Sequence, residues 1–426
     1  MLQHIPFPVL PAPPSWYPGH MTQFTRKLPT LLRRTDVVLE LRDSRLPLTS
    51  INRNFEGILR RWQRERFVPS ALNPNLQPPS SPEASDMPGS VCERIVVFNK
   101  RDLVAEWGIE PFRRAMAAKY PDQKVLFASW NRPKDIRTLS SMLIDIAKHN
   151  PQAPELNVLV VGMPNVGKST LLNALRAMGI PGPTPKALRT SAQPGMTRAV
   201  STRLKLSADP LVYSYDSPGV MLPFLGKGEK GAERGVKLAL IAGIKESLHD
   251  LEALASYLLY RLNVLDPVSP AYLSILPPGT PPLVDVHEFL DVLARRLGML
   301  KRGGIVDTTR AAEWFIKWWR NEGGILAAST PLVTAAPADG TGLQAHRRGW
   351  GFDLEWSISQ DELPRYDEAV IQRKMEECID EYEREAAEEE EEGGRISSTQ
   401  EKKKARGELL AKRAIKTAAR LARQRR

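Results

Sequence analysis

Short apolar, β-branched runs ending in turn residues recur at Asp36–Leu41, Arg94–Phe98, Lys124–Phe127, Leu156–Val161, Thr202–Leu206 and Leu211–Tyr215. Helical spacing of apolar positions lies between several of them, as at Glu110–Lys119, Leu139–Lys148 and Ser169–Met178. Strands alternating with helices predict an α/β domain with a mostly parallel sheet, here over residues 1–235. Within it, residues 68–90 are rich in Pro and Ser and read as a disordered insertion. Strand signals fade from Val236, and helical periodicity to Gly324 predicts a smaller α-helical domain. Residues 325–351 read as a linker, followed by a charged C-terminal extension.

Composition narrows the class. The 426 residues are 42% apolar and 26% charged, which excludes a wholly disordered chain. No stretch approaches the ~20 apolar residues of a membrane-spanning helix. Two cysteines, Cys92 and Cys378, are too few for a disulfide framework or a cysteine-built zinc site, and imply a reducing compartment. The net charge of +11 conceals a strong polarity. Residues 352–393 hold seventeen Asp and Glu against four Lys and Arg, whereas 395–426 hold twelve Lys and Arg against two Glu. The acidic run Glu388–Glu392 reads as a solvated segment, able to pair with the basic tail 394–426. A basic arm of this kind orders readily against RNA phosphates. Residues 1–25 contain several Pro and no Lys or Arg, unlike an Arg-rich transit peptide.

Gly162-Met-Pro-Asn-Val-Gly-Lys168-Ser169 carries the clearest chemistry. It follows a predicted strand and opens a predicted helix, the context a phosphate-binding loop needs. Glycines let the backbone close on a polyphosphate, whose charge falls on N–H groups and the helix N-terminus. Asn165, Val166, Gly167, Lys168, Ser169 and Thr170 are the expected contacts, with Lys168 on the β- and γ-phosphates and Ser169 on Mg²⁺. Asp216-Ser-Pro-Gly219 sits at the end of another strand, where Asp216 can hold Mg²⁺ through water and Gly219 can approach the γ-phosphate. Between them, Thr197 stands on a loop able to close over the metal. Asn99-Lys-Arg-Asp102 follows a third strand and reads as a guanine site. Asp102 accepts N1–H and N2–H₂, Asn99 reaches N7 or braces the loop, and the Lys100 stem lies on the purine face. Ser129 adds a backbone contact to guanine O6, although Trp130 follows it where a small residue is usual. GTP and GDP are the expected ligands.

The order of these motifs is unusual. Asn99–Asp102 precedes the phosphate loop, whereas most GTPases carry it late, so the chain reads as a circular permutation opened at a surface loop. The segment after Gly219 then runs directly into the helical domain, coupling a γ-phosphate-sensing loop to a second body.

With Trp16-Tyr-Pro-Gly-His-Met21, Asp43-Ser-Arg-Leu-Pro47, Asn52 and Pro194-Gly-Met-Thr197, these motifs closely resemble the circularly permuted GTPases of the YlqF/RbgA family, in particular the mitochondrial members. Gly303-Gly-Ile-Val-Asp307 and Ala311–Arg320 resemble that family's helical domain. The resemblance covers roughly residues 15–324. It implies a GTPase acting on a late precursor of the large ribosomal subunit, contacting rRNA and ribosomal proteins. It also implies a place in the mitochondrial matrix, with peripheral contact at the inner membrane; a monomer is expected. Val220 stands where many GTPases orient water with Gln, and this too matches the family. Asn165 resembles the residue that helps ligate K⁺ in potassium-dependent relatives, and His20 is a second candidate for orienting or deprotonating water. Slow turnover, stimulated by a ribosomal particle, follows as an expectation.

Two other readings compete. An RNA-binding assembly scaffold would bind GTP with negligible hydrolysis, and a small-molecule kinase would leave Asn99–Asp102 unexplained. Trp314, Trp318 and Trp319 form a helical stripe that reads most simply as core, with RNA stacking the alternative.

Overall fold

The computed structural model describes residues 5–13, 16–67, 91–188, 195, 197, 199–201, 203–222, 224–245, 248–329, 346–359, 362 and 367–391. The expected insertion 68–90 and basic tail 394–426 lie outside the described residues. The chain enters through α1 (Gly19–Leu32), whose Met21, Phe24, Leu28 and Leu32 share one buried face. Next come β1 (Val37–Asp43), α2 (Arg53–Phe67), β2 (Glu93–Asn99), α3 (Ile109–Lys119), β3 (Lys124–Ala128) and α4 (Pro133–Lys148). After these follow β4 (Leu156–Gly162), α5 (Lys168–Gly179), β5 (Leu204–Ala208) and β6 (Leu211–Asp216).

The six strands form one sheet in the order β3-β2-β1-β4-β6-β5, parallel except for the antiparallel edge strand β5. The expected α/β class and permuted order are both present: the guanine motif follows β2, and the phosphate loop follows β4, two strands away. Register does the assembling. Asp43 pairs with Asn99, Asn99 with Ala128, Leu41 with Gly162 and Val160 with Asp216, so all the motif loops leave the same edge of the sheet. Parallel sheets bind ligands at that carboxyl edge. β1 is buried along its whole length, charges included. Burial alone would push the Glu40 carboxyl up, but the Arg42 and Arg94 guanidiniums outweigh it and hold it down at about 2.

Beyond β6 lie α6 (Gly228–Leu240), α7 (Leu251–Leu265), α8 (Val286–Arg296), α9 (Thr308–Trp318), a π turn (Trp319–Gly323) and α10 (Gly324–Ala328). This helical part shares a continuous apolar cluster with the sheet, from Val160 and Leu172 to Leu259 and Phe315. Trp318 and Trp319 are buried core residues, 7% and 2% exposed, and partly buried Trp314 packs against the same cluster. Among the described residues no helix is long and apolar enough to cross a membrane.

The C-terminal region differs from its sequence reading. Part of the interval expected as a linker is ordered as α10 and as β7 (His346–Trp350), which pairs antiparallel with β8 (Leu354–Ile358). The acidic interval contains α11 (Glu368–Glu391), whose Ile371, Met375, Ile379 and Ala386 are buried. Four-residue spacing draws Ile371, Met375 and Ile379 into one stripe, which the charge count had masked. That stripe joins Trp350, Leu354 and Ile358 in a second core over Phe98, Phe112 and Phe127. Of the run Glu388–Glu392, Glu389 pairs with Arg234 of α6 rather than lying free in solvent.

Candidate nucleotide site

The phosphate loop is a close-packed turn. Gly167 (φ 92) caps α5, and a Cβ there would meet Asn99 Nδ2 at 2.5 Å. Lys168 opens the helix, only 7% exposed, and its Nζ donates to the carbonyls of Met163 (2.7 Å) and Gly162 (3.1 Å). Burial pushes it down to about 8, with Asp216 opposing the shift. A desolvated ammonium at a helix N-terminus suits a polyphosphate in physical terms.

Asp216, at the end of β6, is 1% exposed. Its Oδ2 accepts the Ser169 hydroxyl at 2.6 Å, whereas Oδ1 is buried without a hydrogen-bond partner among the described residues. Burial raises its carboxyl above the ordinary range, against the opposing pull of Lys168 and Ser169. An orphaned carboxylate oxygen beside a hydroxyl fits a hydrated Mg²⁺. Gly219 lies directly on the phosphate loop, where a Cβ would meet Pro164 Cα at 2.6 Å. Val220 donates its N–H to Gly162 O (3.2 Å), and its own carbonyl accepts Asn52 Nδ2 (3.1 Å). Asn52 therefore pins the loop after Asp216, a role its sequence position alone does not reveal.

The guanine motif is bolted to the same loop. Asn99 is fully buried; its Nδ2 donates to Val166 O at 2.7 Å, and its Oδ1 has no hydrogen-bond partner among the described residues. Lys100 sits at φ 62, and its Nζ donates to Asn165 O (2.7 Å) and to Asp43 Oδ2 (2.9 Å). Asp102 lies in the following turn, with Asn131 Nδ2 at 3.5 Å from its Oδ2. Ser129 departs from expectation: it is fully buried and its N–H is committed to Asp135 Oδ2 at 3.0 Å, so that donor is spent. Trp130 beside it is 52% exposed. Sequence reasoning missed Asn131 and Asp135, which shape this edge; their only signal is proximity to Ser129.

Three expected residues sit differently. Asn165 (φ 58) turns its amide away from the phosphate loop and donates from Nδ2 to Ala242 O at 2.7 Å, joining the loop to the turn after α6. That bond engages the amide nitrogen, whereas a cation would be ligated through Oδ1, so the contact does not bear on the expected K⁺ role. Thr197 is half-buried on the connection from α5 to β5. His20, in the first turn of α1, approaches the same connection, its Cε1 3.9 Å from the Cβ position of Gly195. Lys168, Ser169, Asp216 and Gly219 thus form one group and Asn99, Lys100 and Asp102 a second, bridged through Asn165 and Val166.

Comparison with known proteins follows the same division. Residues 157–263 match a family model described as "50S ribosome-binding GTPase". The "Mitochondrial GTPase 1" of Schizosaccharomyces japonicus is 31% identical over 317 residues, covering 72% of this chain and 87% of that protein. Its Schizosaccharomyces pombe counterpart is 30% identical with the same coverage. "Mitochondrial ribosome-associated GTPase 1" of Mus musculus is 31% identical over 253 residues, and the match spans 58% of this chain and 66% of the mouse protein. GNP-bound YlqF from T. maritima is 20% identical, with a TM-score of 0.40 over 72% of this chain and 94% of that one, a likeness too loose to bear on function. The motif content, its permuted order in the sheet and the relatives in sequence agree: the chain belongs to the mitochondrial GTPase 1 family.

Proposed function

We propose that this protein binds and hydrolyses GTP in mitochondria, in the matrix, as a factor in assembly of the large ribosomal subunit. One observation carries the nucleotide reading. Two hydrogen bonds, Asn99 Nδ2 to Val166 O and Lys100 Nζ to Asn165 O, lock the guanine loop to the phosphate loop at 2.7 Å each. Ribosomal action is inferred from the names of the relatives and from the basic tail.

Phosphoryl transfer depends mainly on positioning and charge neutralisation. Lys168 would exchange its carbonyl contacts for β- and γ-phosphate oxygens. Ser169 and Asp216 would hold Mg²⁺, with Thr197 brought in by its loop; the metal would supply further neutralisation of the phosphates. Gly219 would report the γ-phosphate to the chain leading into α6. Asn99 would brace the loop through Nδ2 and offer Oδ1 as a hydrogen-bond acceptor, and Asp102 would read the base. Val220 is 1% exposed and apolar, so it cannot orient water. His20 or an ion held near Asn165 would have to do so, and slow turnover without a ribosomal particle follows.

The buried Val220 also favours the scaffold reading, in which GTP is held and scarcely hydrolysed. Single-turnover hydrolysis with mitochondrial large-subunit precursors, in K⁺ and in Na⁺, separates the two. Acceleration by the particle supports the GTPase reading, and loss of it in Na⁺ adds the ion. Rapid hydrolysis by the protein alone, indifferent to particles, overturns the stimulated mechanism. No hydrolysis under any condition leaves the scaffold.

A further inference from the structure

Asp43 has no part in the nucleotide contacts described above, yet it is fully buried at the end of β1, directly opposite Asn99 in the sheet. Its carboxylate accepts four hydrogen bonds. Three come from Arg45: N and Nε at 3.0 and 2.9 Å to Oδ1, and Nη2 at 2.9 Å to Oδ2. The fourth comes from Lys100 Nζ at 2.9 Å. Lys100 is itself in a left-handed conformation that a non-glycine residue adopts only when its surroundings over-determine it. The two ends that determine it are Asp43 and the Asn165 carbonyl.

Arg45 continues the chain of contacts outward. It is 5% exposed, and its guanidinium lies over the Trp319 ring, 5.2 Å from the centroid. Trp319 stacks on Phe352 with centroids 5.0 Å apart. The Arg45 carbonyl accepts Phe352 N–H at 2.7 Å. A contiguous series of packed and hydrogen-bonded groups therefore runs from the guanine loop to the helical part and the C-terminal hairpin.

We propose that Asp43 and Arg45 are positioning residues for the guanine-loop lysine, setting how long a guanine nucleotide stays bound, and that Arg45 ties this setting to the Trp319–Phe352 seat. The proposal rests on the GTP-binding reading and deepens it. Asp43 acts by holding Lys100 where its stem can cover the purine and its head can grip the phosphate loop. Neutralising Asp43 frees that head, and replacing Arg45 by Lys removes the planar fork that holds both carboxylate oxygens.

The test is a double-mutant cycle on the release rate of fluorescent GDP from the full-length protein. Asp43→Asn and Lys100→Met should each speed release about tenfold, and the double variant should be within about twofold of either. Multiplicative effects would mean that Asp43 acts independently of Lys100 and would overturn the proposal, as would an Asp43→Asn rate within twofold of wild type. Leu293→Ala, a buried position in α8, supplies the control for general destabilisation: it lowers the melting temperature and should leave release unchanged. If Asp43→Asn does not fold, the cycle is run with Arg45→Lys under the same criteria. A wild-type protein that retains no GDP would instead refute the GTP-binding reading.

Discussion

The two lysines of the nucleotide site are compensated in different ways. Among the described residues, buried Lys168 donates to backbone carbonyls, and Asp216 acts on it through space. Lys100, whose side chain is 20% exposed, already holds a buried carboxylate at 2.9 Å. Burial lowers it too, with Asp43 opposing and Arg45 adding to the shift. The difference separates two tasks. A cation with a permanent counter-ion is architecture, whereas a cation left short of one is held ready for a charge that arrives with the substrate.

The sharpest way to break this comparison is to remove each ammonium. Lys168→Met should weaken GDP and GTP binding about a hundredfold or more, judged by calorimetry, since it deletes a preorganised phosphate donor. The same change should leave the melting temperature of the nucleotide-free protein unchanged or raised, because a poorly compensated buried charge is lost. A large fall in melting temperature would show that Lys168 is structural after all.

Proton linkage gives an intermediate effect. Burial holds Lys168 at about 8, below the 10.5 of an ordinary lysine. Between those values the unfolded chain binds more protons, so this group's contribution to stability improves as pH rises from 8 towards 10.5. A bound polyphosphate raises the lysine again. GDP binding near pH 9 should therefore take up about one proton, and binding near pH 7 close to none from this group. Calorimetry in buffers of different ionisation enthalpy reads it, and Lys168→Met should abolish the uptake. Uptake that persists in the variant would assign the shift elsewhere.

Exposed pairs should matter least. Lys230 and Arg234 of α6 meet Glu385 and Glu389 of α11, and the side chains are partly or largely exposed. Glu385→Gln should change stability by no more than about 1 kcal/mol in denaturant titration, and less in high salt. A larger, salt-resistant loss would mean that these contacts clasp α11 more firmly than exposed ion pairs do.

The alternation of apolar runs and helices, the permuted order of Asn99–Asp102 and Gly162–Ser169, and the strand-end positions of both motifs were all legible along the chain. These are local properties: β-branched runs, glycine turns and helix starts depend on neighbours within a few residues. The acidic region was less legible. Seventeen carboxylates within 352–393 outweighed the sparse Ile371, Met375 and Ile379 stripe in a charge count, and that stripe acquires meaning only against Phe98 and Phe112, far away in sequence. The hydrogen bond from Ser129 N–H to Asp135 is hidden in the sequence for a related reason, because the reach of Asp135 depends on the helix that carries it.

The sequence alone determined the kind of ligand and the machinery for it: a guanine motif, a phosphate loop and an acidic residue at a strand end, each a short pattern whose chemistry resides in its own residue types. Tertiary structure decided which partners complete them. Asp43 faces Lys100 across a strand register, Asn52 pins Val220 from 168 residues away, and Asn165 Nδ2 donates to the Ala242 carbonyl, tying the phosphate loop to the turn after α6. Those choices depend on packing among elements remote in the chain, where a buried polar atom must find a partner wherever the fold has put one.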